Sequence, residues 1–170
     1  MRPFTFGRSL TVKAEGLTVV GETKGDLMNV ATLLEAKGHD VATIDQNAPV
    51  TEALDEMRRH GIGALIVTGA TPPFVGIVSE RDVVRHLAER GAQILGESVS
   101  ALMSTSVTSC DPATSATTLM GMMTEHRIRH VPVLSDGELV GLVSIGDVVK
   151  ARFDELEREK RDLLEYVSAR

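Results

Sequence analysis

Apolar residues along this chain recur at helix and strand spacings, in an order that is written twice. Val50, Ala53, Leu54 and Met57 fall at i, i+3, i+4 and i+7, which predicts a helix with one buried face. His60-Gly61 closes it, a cation-capable side chain followed by Gly where a left-handed residue is wanted. The run from Ile62 to Val67 predicts a buried strand, Gly69 to Pro73 a loop, and Phe74 to Val78 a further strand. A helix is expected from Asp82 to about Arg90, stopped by Gly91. Upstream, Val30, Leu33 and Leu34 mark one face of a short helix ending at Gly38. The strand Val41-Ala42-Thr43-Ile44 follows and is ended by Asp45-Gln46-Asn47.

The same order returns roughly 66 residues later. Val99, Leu102 and Met103 predict a short lead-in helix, and Val107 to Cys110 a strand ended by Asp111-Pro112. Ala116, Leu119, Met120 and Met123 repeat the helical stripe, with Met as core filler, and His126 stands where His60 stood. Ile128 to Leu134 is the next strand, Ser135-Asp136-Gly137 a tight turn, and Leu139 to Val143 the last strand. Each copy, at about 60 residues, would bury little surface alone. Two copies packed sheet to sheet around a pseudo-two-fold axis would share one core and create two equivalent clefts. The expected fold class is therefore α/β (α+β): two β-α-β-β-α repeats about a pseudo-two-fold, plus a C-terminal helix. The expected boundaries are an N-terminal tail over 1–27, repeats over 28–92 and 93–150, and a helical extension over 151–170. Within the tail only Leu17-Thr18-Val19-Val20 is strand-like.

The junction between the last strand and last helix of each copy carries the densest chemistry. Gly76-Ile77-Val78-Ser79-Glu80-Arg81-Asp82 is matched by Gly141-Leu142-Val143-Ser144-Ile145-Gly146-Asp147. Ser followed three residues later by an acid is a capping-box pattern, and the acid sits where the helix dipole favours an anion. The same turn also holds a carboxylate at the mouth of a cleft, where it can accept hydrogen bonds from paired hydroxyls such as those of a ribose.

Charge and composition narrow the function. A formal charge of -6 argues against nonspecific binding to nucleic acid or an anionic membrane. Trp is absent, which removes stacking platforms for single strands. There is no apolar run long enough for a bilayer. Arg8, Lys13 and Glu15 interrupt any secretory signal core. The one cysteine, Cys110, excludes an internal disulfide and fits a reducing cytoplasm. No nucleophile elbow, Rossmann spacing or Walker loop is present, so no catalytic residue is assigned.

The repeat, with its Gly-x-x-Ser-x-x-Asp junction in both copies, resembles the CBS domain, and the tandem resembles a Bateman module, over about Met28 to Arg152. Ser79-Glu80-Arg81-Asp82 in the first repeat is similar to small stand-alone bacterial CBS pairs. So is His126-Arg127-Ile128-Arg129-His130-Val131-Pro132-Val133 in the second. The resemblance implies a regulatory, noncatalytic module. It implies an adenosine-containing ligand such as AMP, ADP, ATP, NAD(H) or S-adenosylmethionine. It also implies that the pocket marked by one repeat's Asp takes phosphate contacts from across the pair.

On that basis the ribose falls to Asp82 with Ser79 and to Asp147 with Ser144. Phosphate falls to Arg129, His130, Arg127 and Arg81, since a guanidinium's fixed fork of donors matches phosphate oxygens. Arg127-Ile128-Arg129-His130 is expected at the start of the second copy's middle strand, where Arg127 and Arg129 share a face and converge on one phosphate. The other readings are a solvated basic strand end pairing with Glu125 or Asp136, and a surface ion pair for Arg81. The base slot is assigned to Ile44, Asp45, Val50, Gly63, Ala64, Val78, Cys110, Asp111, Ala116 and Val143. His126 and His130 have a metal-like spacing but straddle a helix end and lack a third ligand, so no metal is assigned. The counterpart of the arginine segment is the uncharged Gly61-Ile62-Gly63-Ala64, so the two clefts are expected to be unequal. The alternative to a sensor is an interaction module whose clefts stay empty.

No Gly or Pro stops the last helix after Asp147. Val149, Phe153, Leu156, Lys160, Leu163 and Val167 are spaced as a coiled-coil seam with one polar position. That seam predicts a homodimer, the alternative being a helix folded back on its own module. The downstream regulated protein is not legible.

Overall fold

A computed structural model of the chain describes residues 28–70 and 75–168 and follows the expected order except at the second repeat's lead-in helix and opening strand. The tail, its strand-like piece at Leu17, and the loop residues around Phe74 lie outside the described residues. The first repeat contains α1 (Val30–Lys37), β1 (Thr43–Asp45), α2 (Val50–His60), β2 (Ala64–Thr68), β3 (Gly76–Ser79) and α3 (Glu80–Arg90). Two 3-10 turns, Ala92–Gly96 and Val99–Ala101, stand where a lead-in helix was expected. The second repeat contains α4 (Ala116–Glu125), β4 (His130–Ser135), β5 (Glu138–Ser144) and α5 (Ile145–Ser168). β1 pairs parallel with β2, and β2 antiparallel with β3. β4 and β5 form an antiparallel hairpin turned by Asp136 and Gly137, both at positive φ (51° and 82°), as a two-residue turn requires.

The apolar stripe of α2 buries Val50, Ala53 and Met57, and Gly61 ends the helix in the left-handed conformation at φ 63°. The second repeat departs from the first at its opening strand. Val107 to Cys110, expected as a strand, is reduced to a single bridge between Cys110 and Val133. Proline explains the loss. In the first repeat the ladder around Ile44 is extended by Ile66 N–H to Ala42 O at 3.1 Å and Gln46 N–H to Thr68 O at 2.9 Å. The residues standing at Ile66 and Gln46 in the second repeat are Pro132 and Pro112, which have no N–H to give. Only the two bonds on Cys110 survive, from its own N–H to Pro132 O and to its carbonyl from Leu134 N–H.

The core also differs from the expected shared one. Val30, Leu33 and Leu34 of α1 pack with Leu119, Val131, Val133 and Val143 of the second repeat. In return Val99 packs with Leu65, Val67 and Val78, and Ile94 and Leu102 pack with Val50 and Val83, all of the first repeat. Each lead-in segment thus completes the other repeat's core, and backbone bonds hold it there. Val30 N–H reaches Thr114 O, and Val50 N–H reaches Glu97 O, both at 2.9 Å. The glycine that opens each junction motif admits this crossing. A Cβ on Gly141 would lie 2.5 Å from Leu34 Cδ2, and one on Gly76 2.7 Å from the Ser104 carbonyl oxygen. α5 buries Val148 and then leaves the body. Val149, Phe153, Leu156, Leu163 and Val167 are all 53–69% exposed, so the fold-back reading is not seen within one chain.

Candidate functional site

Both junctions fold as capping boxes. Ser79 N–H donates to Asp82 Oδ2 at 3.0 Å and its hydroxyl to the same oxygen at 2.6 Å, while Asp82 N–H donates back to Ser79 Oγ. Ser144 and Asp147 repeat the arrangement at 2.7 and 2.9 Å. The partners of the carboxylates then diverge. Asp82, 8% exposed, takes Arg85 Nη2 on Oδ1 at 2.9 Å, from one turn along its own helix. Asp147 takes Lys37 Nζ at 3.2 Å, from the end of α1, and Lys37 is anchored there by a 2.6 Å bond to Leu142 O.

A cleft of about 390 Å³ opens at Asp82. The first repeat supplies Gly63, Ile77 and the Ser79–Asp82 turn. The second supplies Ser104, Ser106, Val107 and Thr108 on one wall and the segment from His126 to His130 on the other. Arg81, Arg85, Arg127 and Arg129 all line it, against the acids Glu80 and Asp82. Arg81 Nη1 donates to Arg127 O at 2.8 Å, tying the repeats together at the cleft. Gly63 leaves room for the other repeat's side chain: a Cβ there would sit 3.3 Å from Glu80 Oε2 and 3.5 Å from His130 Cε1.

A CBS-domain family profile matches residues 34–89 and 99–154. The chain belongs to the CBS-domain family. It is similar to the mitochondrial CBS domain-containing protein CBSX3 of Arabidopsis thaliana, 35% identical over 69% of this chain and 59% of the plant protein's length. It is also similar to the crystal structure of a CBS-domain-containing protein from Agrobacterium tumefaciens. That protein is 44% identical over 74% of this chain and 99% of that one, at a TM-score of 0.72. The CBS domain pair of protein MJ0100, solved in complex with 5′-methylthioadenosine and S-adenosyl-L-methionine, shares the fold. It is 21% identical over 75% of this chain and 98% of that one, with a TM-score of 0.66.

Within this CBS pair the cationic residues gather at one cleft. Arg127 does not share a strand face with Arg129, because β4 begins only at His130. Arg127 instead takes the left-handed position that ends α4, at φ 54°, with the Ile128 N–H bonded to Met123 O at 3.0 Å. Gly61 fills the same position after α2. Arg127 and Arg129 nevertheless both face the Asp82 cleft, with Arg81 and His130 beside them. The glycines Gly61, Gly63 and Gly146 stand at the places of Arg127, Arg129 and Arg81 in the other half of the pair.

The apolar candidates for the base slot are core. Ile44, Val50, Ala64, Val78, Cys110, Ala116 and Val143 are all buried and none lines the Asp82 cleft. Asp45 and Asp111 turn back on their own backbone, accepting from Asn47 N–H and Ala113 N–H. Of the base-slot residues only Gly63 reaches the cleft. Sequence spacing did not single out Ser104, Ser106, Val107 and Thr108, of which only Val107 and Thr108 fall in the strand expected over Val107 to Cys110. Arg85 was missed too, although its i,i+3 spacing from Asp82 could have flagged it.

Burial holds the His130 imidazole below its ordinary 6.5, with Lys37 and Arg129 pushing the same way and Asp147 and Glu80 opposing. Burial alone would raise Asp147. The Ser144 bonds and the Lys37 ammonium outweigh it and hold the carboxyl below 3.8. Burial, helped by Asp111, pushes the Cys110 thiol up to about 11, the behaviour of an inert core thiol. Among the described residues no group of three or more His, Cys, Asp or Glu converges as a metal site. No described helix is long and apolar enough to cross a membrane.

Proposed function

We propose that this CBS pair is a regulatory module that binds an adenine nucleotide in the Asp82 cleft. One observation carries the reading. A single cleft joins a carboxylate turn from one repeat, Asp82 with Arg81 beside it, to the other repeat's segment of Arg127 and Arg129. Ribose hydroxyls take the place of Arg85 on Asp82. Arg85 is half exposed, so its ion pair is the kind that costs little to open. The phosphate rests on the guanidiniums. The adenosine compounds bound by the MJ0100 domain pair support the ligand class. The cationic lining favours a phosphate-bearing adenosine over S-adenosylmethionine, whose sulfonium is itself a cation.

The chemistry on this cleft is recognition without catalysis, in a reducing cytoplasmic setting. We place the repeats at 28–92 and 93–150, with 151–170 as an assembly element. The exposed seam of α5, apolar along Val149, Phe153, Leu156, Leu163 and Val167, supports a homodimer through these helices. Light scattering on the chain truncated after Arg152 checks it: the truncated chain dissociates at concentrations where the intact chain is dimeric. Calorimetry on the intact chain tests the ligand. AMP binds about tenfold or more tightly than adenosine, the worth of a charge-assisted phosphate contact. Equal affinities would remove the phosphate from the arginines, and no binding of either would favour an empty interaction module.

A further inference from the structure

The exposed seam of α5 reads nearly the same from either end. Its midpoint is Arg158. Val149 and Val167 lie equally far from that point, as do Phe153 and Leu163, and Leu156 and Lys160. Two copies of the helix laid antiparallel about a two-fold axis at Arg158 therefore match in every layer. Val149 meets Val167, Phe153 meets Leu163, and Leu156 meets the aliphatic stem of Lys160. The seam is thus complementary to itself, which makes a second copy of this chain the partner that fits it.

The flanking residues choose between the two directions. In a parallel pair each layer sets a residue against its own copy, so Lys160 faces Lys160 inside the seam. Leu164, 58% exposed, would then lie beside Glu159 of the second copy. In an antiparallel pair Lys160 runs its stem over Leu156 and brings its ammonium within reach of Glu157 and Glu159 of the second copy. Those glutamates would otherwise repel their own copies near the axis. Leu164 then rests on the stem of Lys150. A parallel pair gains an Arg152–Glu157 contact on each flank, but exposed ion pairs of that kind are worth little. Resting on the homodimer reading above, we propose that α5 pairs antiparallel with α5 of a second copy, about a two-fold axis at Arg158. The two bodies then stand at opposite ends of the helix pair, with their Val148 positions about 30 Å apart along it. The end of each α5 lies beside the root of the other.

Disulfide trapping in the full chain tests the direction. Val149 and Val167 are 56% and 69% exposed, so a cysteine at either position leaves the body intact. The native Cys110 is buried and stays out of the exchange. Chains carrying Val149→Cys alone, Val167→Cys alone, and an equimolar mixture of the two are allowed to exchange subunits and are then oxidised in air. The antiparallel pair brings position 149 against position 167 and holds the two 149 positions about 27 Å apart, far beyond the reach of a disulfide. The mixture therefore gives at least about tenfold more cross-linked dimer than either variant alone. Efficient cross-linking of Val149→Cys to itself, or of Val167→Cys to itself, overturns the antiparallel pairing and leaves the homodimer standing. So does a dimer, seen by light scattering, that none of the three samples traps. If light scattering finds the intact chain monomeric, the homodimer reading falls and the pairing with it.

Discussion

The two carboxylate turns of this protein have the same backbone chemistry and opposite surroundings. At Asp82 the capping box opens onto arginines from the other repeat. At Asp147 the same box meets Lys37, delivered by α1, and the sequence positions that match Arg127 and Arg129 are Gly61 and Gly63. The comparison separates what the fold needs from what a ligand needs. A helix start needs a hydroxyl and a carboxylate, and both repeats have them. A phosphate site needs cations left over after internal pairing, and among the described residues the Asp82 cleft has them in Arg127 and Arg129. At Asp147 an internal ammonium already holds the oxygen that caps the helix. The exchange of lead-in segments makes this possible, since it puts the end of α1 beside the second repeat's junction.

Substitutions at the two carboxylates widen the comparison most. Asp82→Ala weakens AMP binding by roughly 10- to 100-fold, the range for hydrogen bonds to a charged group. Asp147→Ala leaves AMP affinity within about threefold, although each variant loses the carboxylate half of a capping box, worth about 1 kcal/mol of stability. Calorimetry paired with thermal melts reads both. Equal losses of affinity would mean that the two turns serve one ligand alike. A smaller effect comes from giving the second repeat the first repeat's helix end. Arg127→Gly relieves a left-handed side-chain residue and gains on the order of 0.5–1 kcal/mol, a rise of about 1–4 °C in Tm, while AMP affinity drops several-fold. Lower stability, or unchanged AMP binding, would show that Arg127 is neither strained nor at the phosphate.

Much of this was legible in the sequence where the physics is local. The stripe of α2, the Gly61 stop, the Ser79 and Ser144 caps and the unbroken run into α5 each follow from residues within a turn or two of one another. The inequality of the clefts was legible too, because Arg127 and Arg129 stand where the first repeat has glycines. What was not legible is nonlocal. Ile44, Val50, Cys110 and Ala116 are small and apolar enough for a base slot, but the same properties bury them once α1 and the Ile94 turn cross over. Lys37 is about 110 residues from the carboxylate it meets, and no spacing rule reaches that far. Arg127 was expected at the start of the middle strand, whereas the end of α4 demanded a left-handed residue there. The loss of the Val107 strand was readable in principle, since Pro112 and Pro132 delete the two donors that its ladder needs.

The central claim is that one cleft of the pair is built for a nucleotide and the other is held by the protein's own lysine. The stoichiometry of AMP binding to the intact chain, measured by calorimetry at a protein concentration well above Kd, tests it most directly. The account predicts one tight site per chain, abolished by Arg129→Ala, with any second phase far weaker. Two sites of equal affinity per chain, or a single site that survives Arg129→Ala and disappears with Asp147→Ala, would contradict it.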